Sequence, residues 1–299
     1  MFTDANTGTR NLGSHTESKT MTPVKIYTPD LVQRMGWRIW PEMLQDLTRS
    51  RELIWRLMVR DLSVRYRQSV LGYAWAILPP IIMVAAFTFL SRTRVLNIGQ
   101  TSFAYVSYAL WSIGLWQLFS GSLQVCTNSL TTAGSLVTKI NFPKEGLIFG
   151  AIGQPLFDFF VRLIPVTIVF IWQRVIPAWQ ALLLPFVLIP IVLLALGCGF
   201  VLAIANLLLR DIGNALGMVL TFGVFLAPIL YPPPVKWPFV LINFLNPFSP
   251  LLIATQDLIG TGHLSRPGTF IFACLFASLV FFIGWRFFRT AICRIAEKA

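Results

Sequence analysis

Acidic side chains are scarce in this chain: 12 Asp and Glu stand against 24 Lys and Arg, with only two histidines. No clustered acidic pair offers metal-assisted chemistry. His15 and His263 fall on opposite sides of the topology derived below and cannot share an ion. The four cysteines (Cys126, Cys198, Cys274, Cys293) show no CxxC or other ligand spacing, and three lie in or beside apolar runs, where a thiol acts as a small hydrophobe. GxxxxGK[ST], GxSxG and HExxH are all missing, so no known signature for ATP hydrolysis is present. No catalytic residue, metal or cofactor is expected in the chain itself. Residues 1–30 lack an apolar core, which argues against a cleavable signal. They are polar, and we expect a mobile N-terminal segment.

Charge of either sign is sparse too. Charged residues make up 12% of the chain and hydrophobic ones 56%, with a mean hydropathy of +0.70. Soluble domains carry roughly 25% charged residues. Uncharged runs near ~20 residues instead predict one all-α polytopic membrane domain over 31–299. The net charge of +12 does not point to nucleic acid, because the arginines flank apolar spans, where they meet anionic lipid.

In chain order, Arg49–Gln68 reads as an amphipathic helix in the headgroup plane. At 100° per residue Arg49, Arg56, Arg60 and Arg67 form one stripe, and Trp55, Met58, Val59, Leu62 and Tyr66 lie opposite. Arg51 and Arg65 break that pattern, by snorkelling or by a bend. Six spans follow: Leu71–Leu90, kinked at Pro79-Pro80; Phe103 to about Cys126; Leu147–Trp172; Ala181–Leu209; Asn214–Tyr231; and Gly268–Phe288. Between the fifth and sixth, Val240–Leu245 and Leu251–Ile259 are apolar but too short to span, predicting a re-entrant outer segment. Fifteen basic residues then lie on the inner side (Arg34 to Lys298) and five outside (Arg92, Arg94, Arg174, Lys236, Arg266), which predicts cytoplasmic termini.

Three groups are candidates for function. The stretch Gly134–Gly146, GSLVTKINFPKEG, is a cytoplasmic turn between spans 2 and 3 with little chemistry of its own. It reads as a handle that a separate soluble motor could grip. Phe142 beside Pro143 either fills a partner's groove or packs back under the bundle, and Lys139, Lys144 and Glu145 would form a polar rim. Asp158 and Arg162, four residues apart in span 3, can meet on one helix face. They are either a structural ion pair or a polar contact along a conduit. Aromatics reach 14%. Trp111, Trp116, Trp172, Trp179, Trp237 and Trp285 lie near predicted span ends, as interfacial belts do, whereas Phe87, Phe89, Phe222 and Phe225 within spans either face lipid or line a path.

Two stretches resemble one family closely. Arg65–Pro79, RYRQSVLGYAWAILP, turns a basic interfacial helix into span 1, and the handle reads LVTKINFPKE. With six spans and the outer re-entrant segment, residues 35–290 are similar to the permeases of polysaccharide and polyol-phosphate ABC exporters, the ABC-2 type. The handle departs slightly, with Ile148 and Phe149 where many relatives carry a proline. The resemblance implies an inner-membrane homodimer exporting a lipid-linked polysaccharide (O-antigen, capsule or teichoic acid). Two separate ABC ATPase subunits would bind ATP and Mg. Leu136, Lys139, Phe142, Pro143, Lys144 and Glu145 would then couple to the ATPase, and Arg56, Arg60, Arg65, Tyr66 and Arg67 would form the interfacial gate. Tyr73, Trp75, Phe87, Phe89, Phe222, Phe225 and Tyr231 are channel candidates. A secondary transporter would show matching broken spans and relay carboxylates, and a transferase on lipid-linked glycans would show a catalytic cluster. Both remain as alternatives that the residues favour less.

Overall fold

The computed structural model describes residues 39–67, 74–93, 100–134, 142–233 and 246–298. Ten α-helices run through them: α1 Ile39–Arg49, α2 Arg51–Arg67, α3 Ala74–Arg92, α4 Tyr105–Ala133, α5 Glu145–Ala151, α6 Gly153–Trp172, α7 Leu184–Leu208, α8 Asp211–Gly223, α9 Phe248–Gly260 and α10 Pro267–Lys298. Short 3₁₀ turns, Trp179–Leu183 and Val224–Leu226, precede α7 and follow α8. No strand occurs among the described residues.

Proline and glycine punctuate these helices. Pro185 begins α7, where its missing N–H leaves no bond unmade. The single-residue turn at Ile152 separates α5 from α6. Pro155, three residues on, cannot return a hydrogen bond to Ala151, so the expected single helix over Leu147–Trp172 is interrupted there. Helical bonds resume on both sides, Ile152 N–H to Ile148 O at 3.4 Å and Leu156 N–H to Ile152 O at 3.2 Å.

α7 is the central post, flanked by α4 and α10. The approach is close because glycines face each other: a Cβ on Gly197 would lie 2.6 Å from the Phe281 amide nitrogen, and one on Gly284 would strike the Gly197 carbonyl. Two apolar clusters follow. At the end carrying the handle, Met43, Leu57, Cys126, Ile148, Phe200, Trp285 and Phe288 are buried together. At the other end, Trp111, Leu115, Phe159, Ile191, Leu251 and Phe248 form the second. Trp111, Trp116 and Trp285 are thus core residues, not the interfacial rings expected from their positions near span ends. Trp172 and Trp179 are exposed.

The outward faces are apolar as well. Phe160, Ile164, Ile168 and Ile171 make an exposed stripe on α6, and Ile271, Phe272, Leu275, Leu279, Phe282 and Ile283 one on α10. Water would penalise such surfaces, whereas lipid does not. Three helical stretches among the described residues, Glu145–Trp172, Trp179–Leu208 and Pro267–Arg294, are long and apolar enough to cross a bilayer. This is a multi-pass membrane protein. In lipid the hydrophobic effect does little to bring helices together, so close packing and polar bonds decide the architecture.

Those polar bonds concentrate at both ends. Near the second cluster, α8 stops at Gly223, short of the expected span to Tyr231, and Ala227–Tyr231 leaves helical geometry. Its carbonyls are satisfied by side chains: Tyr108 Oη donates to Pro228 O at 3.0 Å and to Tyr231 O at 3.2 Å, and Gln256 Nε2 donates to Pro228 O at 3.1 Å. Gln256 belongs to α9, which is buried almost throughout and held further by Trp111 Nε1 donating to Thr255 Oγ1 at 3.1 Å. Irregular backbone survives at membrane depth only where protein or water satisfies it. Here protein does.

Candidate functional site

The handle leads directly into α5. Leu136 and Lys139 lie outside the described residues. Phe142 is half-buried and packs against the handle-end cluster, so its ring is turned partly inward. Pro143 and Lys144 offer their carbonyls to the amides of Gly146 and Leu147, at 3.0 and 3.1 Å, starting the helix.

Glu145 corrects the expectation of a polar rim. It is 4% exposed, and Oε1 accepts from Arg289 Nη1 at 2.7 Å. The other arm of the same guanidinium, Nη2, donates to Asp46 Oδ2 at 2.7 Å. One arginine at the end of the last span therefore ties α1, α5 and α10 together. Glu145 in the first turn of α5 also suits the positive end of that helix. Nothing local in the sequence points to this clamp, because Arg289 reads as one more basic residue after a span.

α2 sits on α5 and on the start of α6. Ile54, Leu57 and Met58 lie over Gly146, Gly150 and Gly153. A Cβ on Gly146 would be 3.3 Å from Ile54 Cγ1, and one on Gly153 would collide with the Met58 side chain. The small-residue spacing Gly146/Gly150 is thus a seat for α2. The helix turns Ile54, Leu57 and Met58 to the bundle and leaves Trp55, Val59 and Val64 exposed. Of the apolar face predicted through Trp55, Met58 and Val59, Met58 turns to the bundle while Trp55 and Val59 face outward. Arg56 pairs with Glu52 at 2.7 Å and Arg60 with Asp61 at 2.8 Å. Both pairs are solvent-facing and contribute little to stability. The side chains of Arg65, Tyr66 and Arg67 lie outside what the structure describes.

Between α2, α4, α5 and α6 runs a groove in two compartments, the first lined mainly by apolar side chains (Leu57, Val64, Val125, Leu147) and the second mainly by polar ones. The first, about 450 Å³, is walled by Arg60, Asp61 and Val64 of α2 and by Asn128, Ser129 and Thr132 of α4. The second, about 250 Å³, is walled by Gln117, Ser120 and Gly121 of α4 and by Pro155, Asp158 and Arg162 of α6. Val125 and Gln154 line both, so the two adjoin. Asp158 is buried, and Arg162 Nη2 approaches its Oδ2 at 4.0 Å. Hydropathy alone does not show the groove, yet a signal is present: Gln117, Gly121, Asn128 and Thr132 of its wall recur at four- and seven-residue steps, one face of a helix.

A second unexpected polar knot closes the Arg210-Asp211 turn. Asn206, buried on α7, accepts from the Gly213 amide at 2.8 Å and donates to Thr127 O at 3.2 Å and Asn128 Oδ1 at 3.1 Å. Gln124 Nε2 donates to Gly213 O at 3.0 Å. The start of α8 is thereby fixed to α4 and α7.

Among the aromatic candidates, Phe87 and Phe225 meet with centroids 6.5 Å apart, and Tyr231 Oη donates to Phe225 O at 2.9 Å. Phe89 and Phe222 are exposed. Tyr73 lies outside the described residues, as does the side chain of Trp75.

The fold is that of a multi-pass helical membrane protein with a buried polar clamp at one end and a groove beside it. Residues 52–261 match the ABC-2 type transporter family, and the chain belongs to that family. Three relatives are O-antigen export system permease proteins named RfbA. The one from Myxococcus xanthus is 28% identical over 194 residues, 64% of this chain and 72% of its own length. Two from Klebsiella pneumoniae are 25% and 26% identical over 218 and 216 residues, each alignment covering 69% of this chain and 79% of the relative.

Proposed function

We propose that this chain is the membrane permease of an ABC exporter that carries a lipid-linked polysaccharide across the bacterial inner membrane. A separate ABC ATPase, two copies to a permease homodimer, binds ATP and Mg and supplies the work. Residues 31–299 form one domain of six spans with both termini cytoplasmic. α2 lies at the membrane interface against anionic lipid, and α9 belongs to a re-entrant outer segment. The observation that carries the reading is the family match over 52–261 together with relatives named as O-antigen export permeases. The structure adds support of two kinds. Arg289 links the handle helix to α1 and α10, which suits a lever moved from outside the bundle. The groove past Asp158 and Arg162 offers hydroxyl-rich cargo polar walls.

The handle residues Leu136, Lys139, Phe142, Pro143 and Lys144 make the contact with the ATPase, and Glu145 passes movement inward through Arg289. Arg56, Arg60, Arg65, Tyr66 and Arg67 gate the cytoplasmic side. Tyr73, Trp75, Phe87, Phe89, Phe222, Phe225 and Tyr231 line the path, since aromatic faces suit the C–H faces of sugars.

Detergent extraction of a tagged permease from its host tests the reading. An ABC ATPase is expected to co-purify, and deletion of the permease is expected to trap polymer inside the cell. A Cys placed in 232–267 should react with an impermeant thiol reagent from outside, and Ser135→Cys should not. Absence of a bound ATPase with normal surface polymer in the deletion strain would overturn it.

A further inference from the structure

Phe225 and Tyr231 stand on either side of a stretch that no helix supports. We infer that Tyr108 of α4 and Gln256 of α9 are positioning residues for the export path. They hold Ala227–Leu230 so that those two rings keep their place in it. This deepens the export reading and rests on it.

The stretch has two faces. Ala227, Ile229 and Leu230 are buried in the second apolar cluster, whereas Phe222 and Phe225 before them are exposed and Tyr231 after them is half-buried. Ala227 is extended, and Pro228 has no amide hydrogen, so the hydrogen-bond ladder of α8 cannot reach Tyr231. Distant side chains hold it instead. Tyr105 Oη donates to Leu230 O at 3.2 Å, and Asn246 Nδ2 to Leu226 O at 3.2 Å. Tyr231 Oη returns to Phe225 O at 2.9 Å, tying the two aromatic residues together, and Phe225 meets Phe87 of α3. Three rings of the proposed path are thus placed as one set by this stretch.

Counting hydrogens singles out Tyr108 and Gln256. The Tyr108 hydroxyl has one hydrogen and two carbonyls in reach, Pro228 O at 3.0 Å and Tyr231 O at 3.2 Å. The Gln256 amide has two hydrogens, and its Nε2 meets Pro228 O at 3.1 Å and Ser112 Oγ at 2.9 Å. Ser112 gives its own hydrogen to Tyr108 O at 2.7 Å, which leaves its oxygen to aim the amide. With both residues present, Gln256 serves Pro228 and Tyr108 is released to serve Tyr231. Without Gln256, the one tyrosine hydrogen is divided between two buried carbonyls. Without the Tyr108 hydroxyl, Tyr231 O loses this donor. Apolar burial is non-directional and holds the buried side chains without fixing the Tyr231 backbone.

The experiment uses whole cells carrying the complete exporter, with the permease supplied as wild type, Tyr108→Phe, Gln256→Leu or Ser107→Ala, and the same proteins purified for melting. Ser107→Ala is the control: it removes a buried α4 hydroxyl that donates to Gln173 Oε1 at 2.6 Å, away from the stretch. If Tyr108 has only a structural role, export in Tyr108→Phe and Ser107→Ala falls in step with their melting temperatures. Positioning predicts export lowered at least fivefold in Tyr108→Phe and Gln256→Leu, with Ser107→Ala within twofold of wild type at a similar melting loss. Pro233→Cys supplies a second readout, labelled from outside with an impermeant maleimide. Adding Tyr108→Phe is expected to change its labelling rate at least threefold, and adding Ser107→Ala is not. Should Tyr108→Phe fold poorly, Tyr105→Phe takes its place in both readouts. Export within twofold of wild type by a stable Tyr108→Phe overturns the positioning role, as does an unchanged labelling rate. Wild-type cells separate the two readings: if the wild-type gene restores no surface polymer to a deletion strain, the export reading itself fails.

Discussion

Arg289 and Glu145 are 144 residues apart in the chain and 2.7 Å apart in the structure. That contact, shared with Asp46 through the other arm of the guanidinium, sets the handle helix in the bundle. All three side chains are at most 12% exposed. Removing the arginine leaves two carboxylates in a poorly solvated site, at a cost of about 3–5 kcal/mol. Arg289→Ala is therefore expected to lower the melting temperature and yield of purified permease sharply. Replacing the whole triad with Asp46→Leu, Glu145→Leu and Arg289→Met should restore much of that stability, because buried charge clusters are often no better than well-packed apolar groups. The restored protein should still export poorly if the clamp transmits movement. Normal export by the stable triple variant would reduce the clamp to a structural role.

Much of this architecture can be read from the sequence, for a local reason. The apolar run Ala181–Leu209 predicts α7 within a few residues, since hydropathy over ~20 positions reports span length directly. Gly146/Gly150 likewise marks a close helix contact, although not that α2 is the helix seated there. What escapes are relations between distant segments. Helical periodicity compares residues three and four apart and says nothing of a partner 144 positions away. Proximity to span ends points Trp111 and Trp285 to interfacial belts, yet each faces inward, a matter of rotation about the helix axis. α8 stops early at a local breaker, Pro228, with Ala227 extended before it, but that the freed carbonyls beyond are satisfied by Tyr108 and Gln256, both remote, is not legible locally.

Gly153 reports on the seating of α2. A methyl group there would collide with Met58, and overpacking of this kind costs about 1–3 kcal/mol. Intrinsic helix propensity runs the other way, favouring alanine by about 1 kcal/mol. Gly153→Ala should be destabilising on balance, and Met58→Ala in the same protein should recover part of the loss. Thermal melts of the two single variants and the double variant give the coupling. A Gly153→Ala protein more stable than wild type would mean that α2 does not rest on α6 as described.

Asp158 and Arg162 differ from the Arg289 clamp in one measurable way. Their closest atoms are 4.0 Å apart against 2.7 Å, and charge-assisted bonds run at about 2.7–2.9 Å. Both residues also face the groove. Asp158→Asn is thus expected to insert and melt within about 1 kcal/mol of wild type, at the low end of what single substitutions do, while surface polymer falls. If Asp158→Asn instead collapses expression, and Asp158→Arg with Arg162→Asp recovers it, the pair is structural.

Phe142 tests whether the handle is gripped. Its ring is half-buried against the handle-end cluster, so truncation has an internal cost as well as any cost at a partner. A fully buried Phe contributes about 1.5–3 kcal/mol, and half of that leaves the fold intact. Aromatic anchors at interfaces cost about 2 kcal/mol or more on truncation, which is over twentyfold in affinity. The two contributions separate by substitution. Phe142→Leu keeps most of the inward packing but loses the flat ring that a partner's groove would hold. Phe142→Ala loses both. Both variants should insert and be extracted in normal yield, the alanine form melting somewhat lower. ATPase recovered with the permease should fall in both, and surface polymer should disappear in Phe142→Ala. Lys144 beside it affects orientation more than affinity, so Lys144→Ala should change ATPase recovery less. A Phe142→Ala permease that keeps its ATPase and exports at the wild-type rate would remove the handle from the coupling path, leaving Glu145 and its arginine as a clamp with no lever attached.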